Sequence, residues 1–111
     1  MKVAVIGSRT FENYTKLEGV LDQYDISEII SGGARGADSL GELYALNKSI
    51  PVKIFKADWS KYGKAAGFIR NKDIIDNCDM VIAFWDGKSK GTQHSINLAN
   101  KQDKTVIVVM I

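Results

Sequence analysis

Apolar positions along this chain fall into two alternating rhythms. Residues 3–6 (Val-Ala-Val-Ile) form an unbroken apolar run stopped by Gly7, as in a strand buried on both faces. From Tyr14 the rhythm lengthens: Leu17, Val20, Leu21 and Tyr24 lie at i, i+3, i+4 and i+7, the stripe of an amphipathic helix. Residues 26–31 predict a second strand, halted by Gly32 and Gly33, and Ala37, Leu40, Gly41 and Tyr44 repeat the helical spacing. Pro51, the only proline, precedes a third strand at 52–55. A third helix follows over 64–78, with Phe68, Ile75 and Cys78 on one side. Residues 80–85, 92–101 and 104–110 then predict a fourth strand, a weaker fourth helix and a fifth strand.

Strictly alternating strands and helices with short connections predict an α/β domain over residues 1–111. Its parallel sheet is covered on both faces, and right-handed crossovers favour a five-stranded, doubly wound, Rossmann-like arrangement. Composition narrows the class. Hydrophobic residues at 45% and charged residues at 25% of 111 are a globular balance, not a disordered or low-complexity one. One Cys and one His exclude an internal disulfide and a Cys/His zinc cage. No run approaches a membrane span, so the expectation is a soluble, cytoplasmic protein with no membrane partner. Exposed sheet edges favour a homodimer.

The net charge of +2 is lower than usual for proteins that coat nucleic acid, but it is unevenly spread. Residues 11–30 carry Glu12, Glu18, Asp22, Asp25 and Glu28 against Lys16; residues 53–72 carry Lys53, Lys56, Lys61, Lys64, Arg70 and Lys72 against Asp58. Such a field draws in anions, or is simply two solvated faces.

In doubly wound sheets, ligands bind beyond the carboxyl ends of the strands, and the unusual residues gather there. Gly7, Ser8, Arg9 and Thr10 follow strand one. Ser31, Gly32, Gly33, Ala34, Arg35, Gly36 and Asp38 surround the turn after strand two. Asp58 and Trp59 follow strand three, and Trp85, Asp86, Gly87, Ser89, Gly91 and Thr92 follow strand four. Glycines admit an anion close to backbone amides at a helix start, where Arg35 can clamp a phosphate; a plain tight turn fits the same residues. Thr92 reads as a helix cap or an anion contact. Trp59 and Trp85 are either core or a stacking surface for a base or ribose. Asp58 and Asp86 suit a ribose hydroxyl, a helix cap or water-bridged Mg²⁺. Arg70 and Asn71 are a surface pair or part of the basic stretch, His94 an exposed helix residue, and Cys78 a buried filler. Neither a G-x-G-x-x-G fingerprint nor a phosphate loop is present: Ser31 takes the place of the first fingerprint glycine.

Taken together, Val-Ile-Gly-Ser-Arg (5–9), Ser-Gly-Gly-Ala-Arg-Gly-Ala-Asp (31–38), Ala-Gly-Phe-Ile-Arg-Asn (66–71) and Ala-Phe-Trp-Asp-Gly-Lys-Ser-Lys-Gly-Thr (83–92) resemble the YspA-like branch of the SLOG superfamily. That superfamily of small Rossmann-like domains includes DprA, cytokinin-activating phosphoribohydrolases and domains thought to sense nucleotide-derived ligands. The resemblance implies the fold and a nucleotide-like ligand, with no certain cofactor. It does not carry the phosphoribohydrolase reaction. In their P-G-G-x-G-T-x-x-E motif the Glu assists N-glycosidic cleavage, whereas here Gly91 and Thr92 match but Ser95 stands at the Glu position. The leading expectation is therefore a module binding a nucleotide or nucleotide-derived phosphate at the strand ends. A nucleotide N-glycosidic or phosphate-bond hydrolase at the same crevice is the alternative, and single-stranded nucleic-acid binding, as in DprA, the third.

Overall fold

The computed structural model describes all 111 residues. Strand β1 (Lys2–Gly7) leads through helix α1 (Tyr14–Leu21) to β2 (Glu28–Ser31), and α2 (Ala37–Asn47) connects β2 to β3 (Val52–Ile54). A short helix α3 (Trp59–Tyr62), a 3-10 turn at Gly63–Ala65 and helix α4 (Ala66–Asp76) then return the chain to β4 (Met80–Trp85). Helix α5 (Lys90–Lys101) and strand β5 (Thr105–Met110) complete it. All strands pair in parallel in the order β3-β2-β1-β4-β5. This is the five-stranded, doubly wound α/β arrangement that the alternation of rhythms predicts, with the order reversing between β1 and β4.

The unbroken apolar runs are explained by two separate cores. Val3 and Val5 point to the α1/α2 side, where they join Leu17, Leu21, Ile29, Ile82 and Phe84. Ala4 and Ile6 point the other way, to Ile30, Ile74, Ile75, Val81, Ala83 and Ile96 beneath α4 and α5. Each fully buried Val or Ile contributes about 1.5–3 kcal/mol, so the central strands hold both layers on. Phe11 stacks on Phe84, ring centroids 5.0 Å apart, and ties the chain after β1 to the same layer.

The edges depart from the pattern. The third and fifth runs read as strands covered on both faces, yet β3 and β5 lie at the sheet's two borders: Val52, Ile54, Val108 and Met110 are exposed. The helices pack over the middle strands and cover the borders only in part: Val106, Ile107 and Val109 of β5 touch the cores while their neighbours stay exposed. Helix α3 escapes sequence periodicity because four residues do not make a stripe; Asp58 caps it by accepting from the Lys61 amide at 3.1 Å. Helix α4 is shorter than the predicted 64–78, and Phe68, expected beside Ile75 and Cys78 in the core, is exposed. The first turn of α4 overhangs the strand ends instead of covering the sheet. No helix is long and apolar enough to cross a membrane.

Two glycines let the β1 loop press against its neighbours. A Cβ on Gly7 would stand 2.2 Å from the Phe84 carbonyl oxygen. On Gly36, where φ is 75°, it would stand 2.3 Å from the Ser8 carbonyl oxygen. The same approach lets the Ser8 amide donate to the Phe84 carbonyl at 2.9 Å and the Ala37 amide to the Ser8 carbonyl at 3.3 Å. Gly7→Ala is expected to cost about 3 kcal/mol or more by overpacking and backbone strain. Gly19→Ala, within α1 where nothing lies within 4 Å, is expected to be neutral or to stabilise by up to about 1 kcal/mol. Urea midpoints of the two variants check this; equal stabilities would contradict it.

Candidate functional site

At the carboxyl ends of the strands lie two adjoining cavities of about 240 and 370 Å³. Arg9, Ala34, Trp59 and Arg70 line both and form the partition. The first is amphiphilic: Ile6, Ile74, Trp59 and Phe68 supply apolar surface, Lys64 and Lys90 cationic ends, and Asp38 is its only carboxylate. The second adds Arg35 and Lys56 and has no carboxylate among its lining residues. The protein's ion pairs are Lys48 with Glu18 and Asp22, and Lys72 with Asp76. None of the cations around the cavities is neutralised by one.

The loop after β2 is held from within. Buried Asp38 accepts from the amides of Gly32 and Ala34 through Oδ2 at 3.1 and 3.3 Å. Ser31 Oγ accepts from the Gly33 amide at 3.2 Å and donates to Glu42 at 2.7 Å. Gly32, Gly33 and Ala34 therefore do not cradle an anion with their amides, as the glycine-rich sequence suggests: the protein's own oxygens already occupy them. Arg70 donates through a terminal nitrogen to the Gly32 carbonyl at 2.7 Å and through Nε to Asn71 Oδ1 at 3.1 Å. Two of its five N–H groups suffice for these bonds, so the fork is fixed with donors to spare. Asn71 in turn donates to the Gly91 carbonyl at 3.4 Å and lies 3.2 Å from His94 Nδ1. His94 is half-buried rather than exposed, and burial lowers its pKa.

The opposite wall is the start of α5. Asp86 Oδ1 accepts the amides of Lys88 and Ser89 at 2.8 and 2.9 Å, which holds its pKa below the ordinary value. Ser89, not Thr92, is the N-cap, accepting from the Thr92 amide, so α5 begins at Lys90 rather than at residue 92. Trp85 does not face either cavity; its indole donates to the Ser89 carbonyl at 3.1 Å and its ring packs on the α4/α5 core.

Comparison with known proteins now bears on this arrangement. A model of the YspA, cpYpsA-related SLOG family matches residues 1–62. The Gene 61 protein of Mycobacterium phage D29 is 31% identical over 117 residues, spanning 96% of this chain and 94% of that protein. The chain belongs to the YspA, cpYpsA-related SLOG family. Among solved structures, DNA processing protein A (DprA) from Streptococcus pneumoniae superposes with a TM-score of 0.80 at 21% identity, over 96% of this chain and 49% of that one. DprA from Helicobacter pylori, solved for its single-stranded DNA binding mode, gives 0.74 at 26% identity, over 97% and 64%. The chain thus spans 49% and 64% of these two DprA structures, less than two thirds of either.

In this SLOG domain the motif residues separate into two groups. Gly7, Arg9, Ala34, Asp38, Trp59, Arg70, Asn71, Ser89, Gly91 and Thr92 line the first cavity, and Gly32, Gly33 and Arg35 the second. Ser8, Thr10, Ser31, Gly36, Asp58, Trp85, Asp86 and Gly87 line neither. Several of these are braces: Ser8 Oγ accepts from the Asp86 amide at 3.2 Å, while Asp58 and Asp86 spend their carboxylates on local amides. Lys56, Lys64, Phe68 and Lys90 line the cavities without having been singled out as ligand contacts. The basic stretch carried a signal for Lys56 and Lys64; Phe68 carried only the misleading signal of a core period. Ser95, at the position of the Glu in the phosphoribohydrolase motif, is buried against the first cavity.

Burial raises the Asp38 pKa to about 6, although the Ala34 amide and the Arg70 charge pull it down. A raised carboxyl pKa means that the folded state prefers the proton, so stability is lost as pH climbs from 3.8 through about 6. Asp38→Asn keeps an oxygen for the loop amides and has nothing to ionise. Its stability relative to wild type is expected to improve by on the order of 2–3 kcal/mol between about pH 4 and about pH 7. Urea unfolding across that range measures it, and a pH-independent difference would contradict the ionised, buried Asp38.

Proposed function

We propose that this domain binds a nucleotide or nucleotide-derived phosphate in the first cavity. The observation that carries the reading is the convergence of Arg9, Arg70, Lys64 and Lys90, free of ion pairs, beside the aromatic faces of Trp59 and Phe68. A flat apolar wall suits a base or sugar, and cations at its edge suit phosphate. Arg70, pre-oriented by Gly32 and Asn71, offers its remaining donors at little entropic cost. Membership of the SLOG family supports the same ligand class. N-glycosidic hydrolysis has less support: Ser95 stands where the phosphoribohydrolase motif has its Glu, and Asp38, the cavity's one carboxylate, is occupied by loop amides.

A second reading, binding of a single strand of nucleic acid, draws support from the Helicobacter pylori DprA structure and from the two cavities adjoining across Arg9, Ala34, Trp59 and Arg70. It predicts affinity falling steeply with salt as counterions are released; no binding of a short single-stranded oligonucleotide at low salt would exclude it.

Calorimetric titration with a panel of nucleoside monophosphates tests the main reading. At least one is expected to bind, with Trp59 fluorescence changing on saturation. Arg9→Ala is expected to weaken that binding by about 1.5–3 kcal/mol, the range for a charge-assisted hydrogen bond. Equal affinities of wild type and variant would remove Arg9, and with it the proposed phosphate position.

A further inference from the structure

Resting on the proposed nucleotide site, we infer that the adjoining cavity is a second phosphate subsite, so that the domain takes ligands carrying two linked phosphoryl groups. The two cavities differ in chemistry. The first has the apolar floor and aromatic wall that a nucleoside requires. The second, of about 370 Å³, brings together Arg9, Arg35, Lys56 and Arg70, and its only large apolar side chain is the shared Trp59.

Four cations around one hollow repel one another unless an anion joins them. Asp38 behind the Gly32 loop offsets only Arg70: Arg9, Arg35 and Lys56 take part in none of the protein's ion pairs, and no carboxylate lines the hollow. The glycine loop in its wall offers little, because the Gly32, Gly33 and Ala34 amides already donate to Asp38 and Ser31. Recognition falls to the side chains. The shared partition fixes the order of the ligand: nucleoside in the first cavity, one phosphoryl group at Arg9 and Arg70, the next beside Arg35 and Lys56. A nucleoside diphosphate and a 5′-phosphorylated dinucleotide both have linked phosphoryl groups, directly in a pyrophosphate and through an intervening nucleoside respectively.

The test is calorimetry on the full chain with a nucleoside monophosphate, the diphosphate of the same base, the 5′-phosphorylated dinucleotide, and inorganic pyrophosphate. Wild type is expected to bind a two-phosphate ligand about tenfold or more tighter than the monophosphate, one charge-assisted contact being worth at least that factor. Arg35→Ala/Lys56→Ala alters two exposed side chains and is expected to erase the difference while leaving monophosphate affinity within about twofold. Lys61→Ala, which removes a positive charge outside both cavities, is expected to leave the difference intact, separating a subsite from general attraction. Gain with the diphosphate alone identifies a small-molecule ligand, gain with the dinucleotide alone a strand, and gain with both the shared chemistry; each supports the subsite. Equal mono- and two-phosphate affinities, or a preference that survives in the double variant, overturn it while leaving the nucleotide site standing. If the monophosphate fails to bind but pyrophosphate binds through Arg35 and Lys56, the nucleotide reading falls and the subsite stands. If no ligand binds, both fall.

Discussion

The close approach of β1 and β4 at their carboxyl ends is the contact on which the rest of the molecule depends. Gly7 lies so near Phe84 that no side chain fits between them, and Ser8 bonds both to the Phe84 carbonyl and to the Asp86 amide. Beyond that stitch the two chains must part, because α1 belongs to one face of the sheet and α5 to the other. Their divergence opens the crevice. Gly36, packed on the Ser8 carbonyl, brings the loop after β2 to the same place. The cleft is thus a consequence of strand order, and its shape is set by backbone contacts between segments remote in sequence.

What the cleft presents is set by where polar groups are spent. Asp38, Ser31, Asp58, Asp86 and Ser89 accept from loop and helix-start amides. The loops are stiffened, and their capacity to hold an anion through backbone donors is reduced. The cations go the other way. On the acidic side Lys48 is drawn between Glu18 and Asp22, whereas Arg9, Arg35, Lys56, Lys64 and Lys90 reach the cavities without ion-pair partners. Asp38 links the two economies: buried and costly to ionise, it holds the glycine loop beside the Arg70 charge.

The layer structure and the parallel sheet were legible because Val3 to Ile6 and Met80 to Phe84 are buried on both faces, leaving unbroken apolar runs with no polar alternation; the strand order itself was not, because no apolar run says which strand it pairs with. The borders were not, since Val52 or Met110 on an edge strand reads like a central residue. The site was legible as a rim of glycine, hydroxyl and arginine, and Arg9, Arg70, Asn71 and Thr92 do meet there. Sequence alone did not separate lining from bracing. Trp59 and Trp85 both follow apolar strand runs in the sequence, yet Trp59 opens α3 and lines both cavities while Trp85 ends β4 and is consumed by the Ser89 carbonyl. Phe68 shows the converse failure: its helical spacing with Ile75 is real, but α4 begins beyond the sheet, so the same stripe is core at one end and cavity wall at the other.

Four segments remote in sequence converge on one cleft lined by cations and suited to an anion. Amide chemical-shift mapping by NMR, with a nucleoside diphosphate titrated into the labelled protein, tests it most directly. Arg9, Ala34, Gly67 and Gly91, one from each segment lining the first cavity, are expected to shift together along one saturable curve. Shifts confined to a single segment, or centred on the acidic side around Glu18 and Asp22, would contradict it.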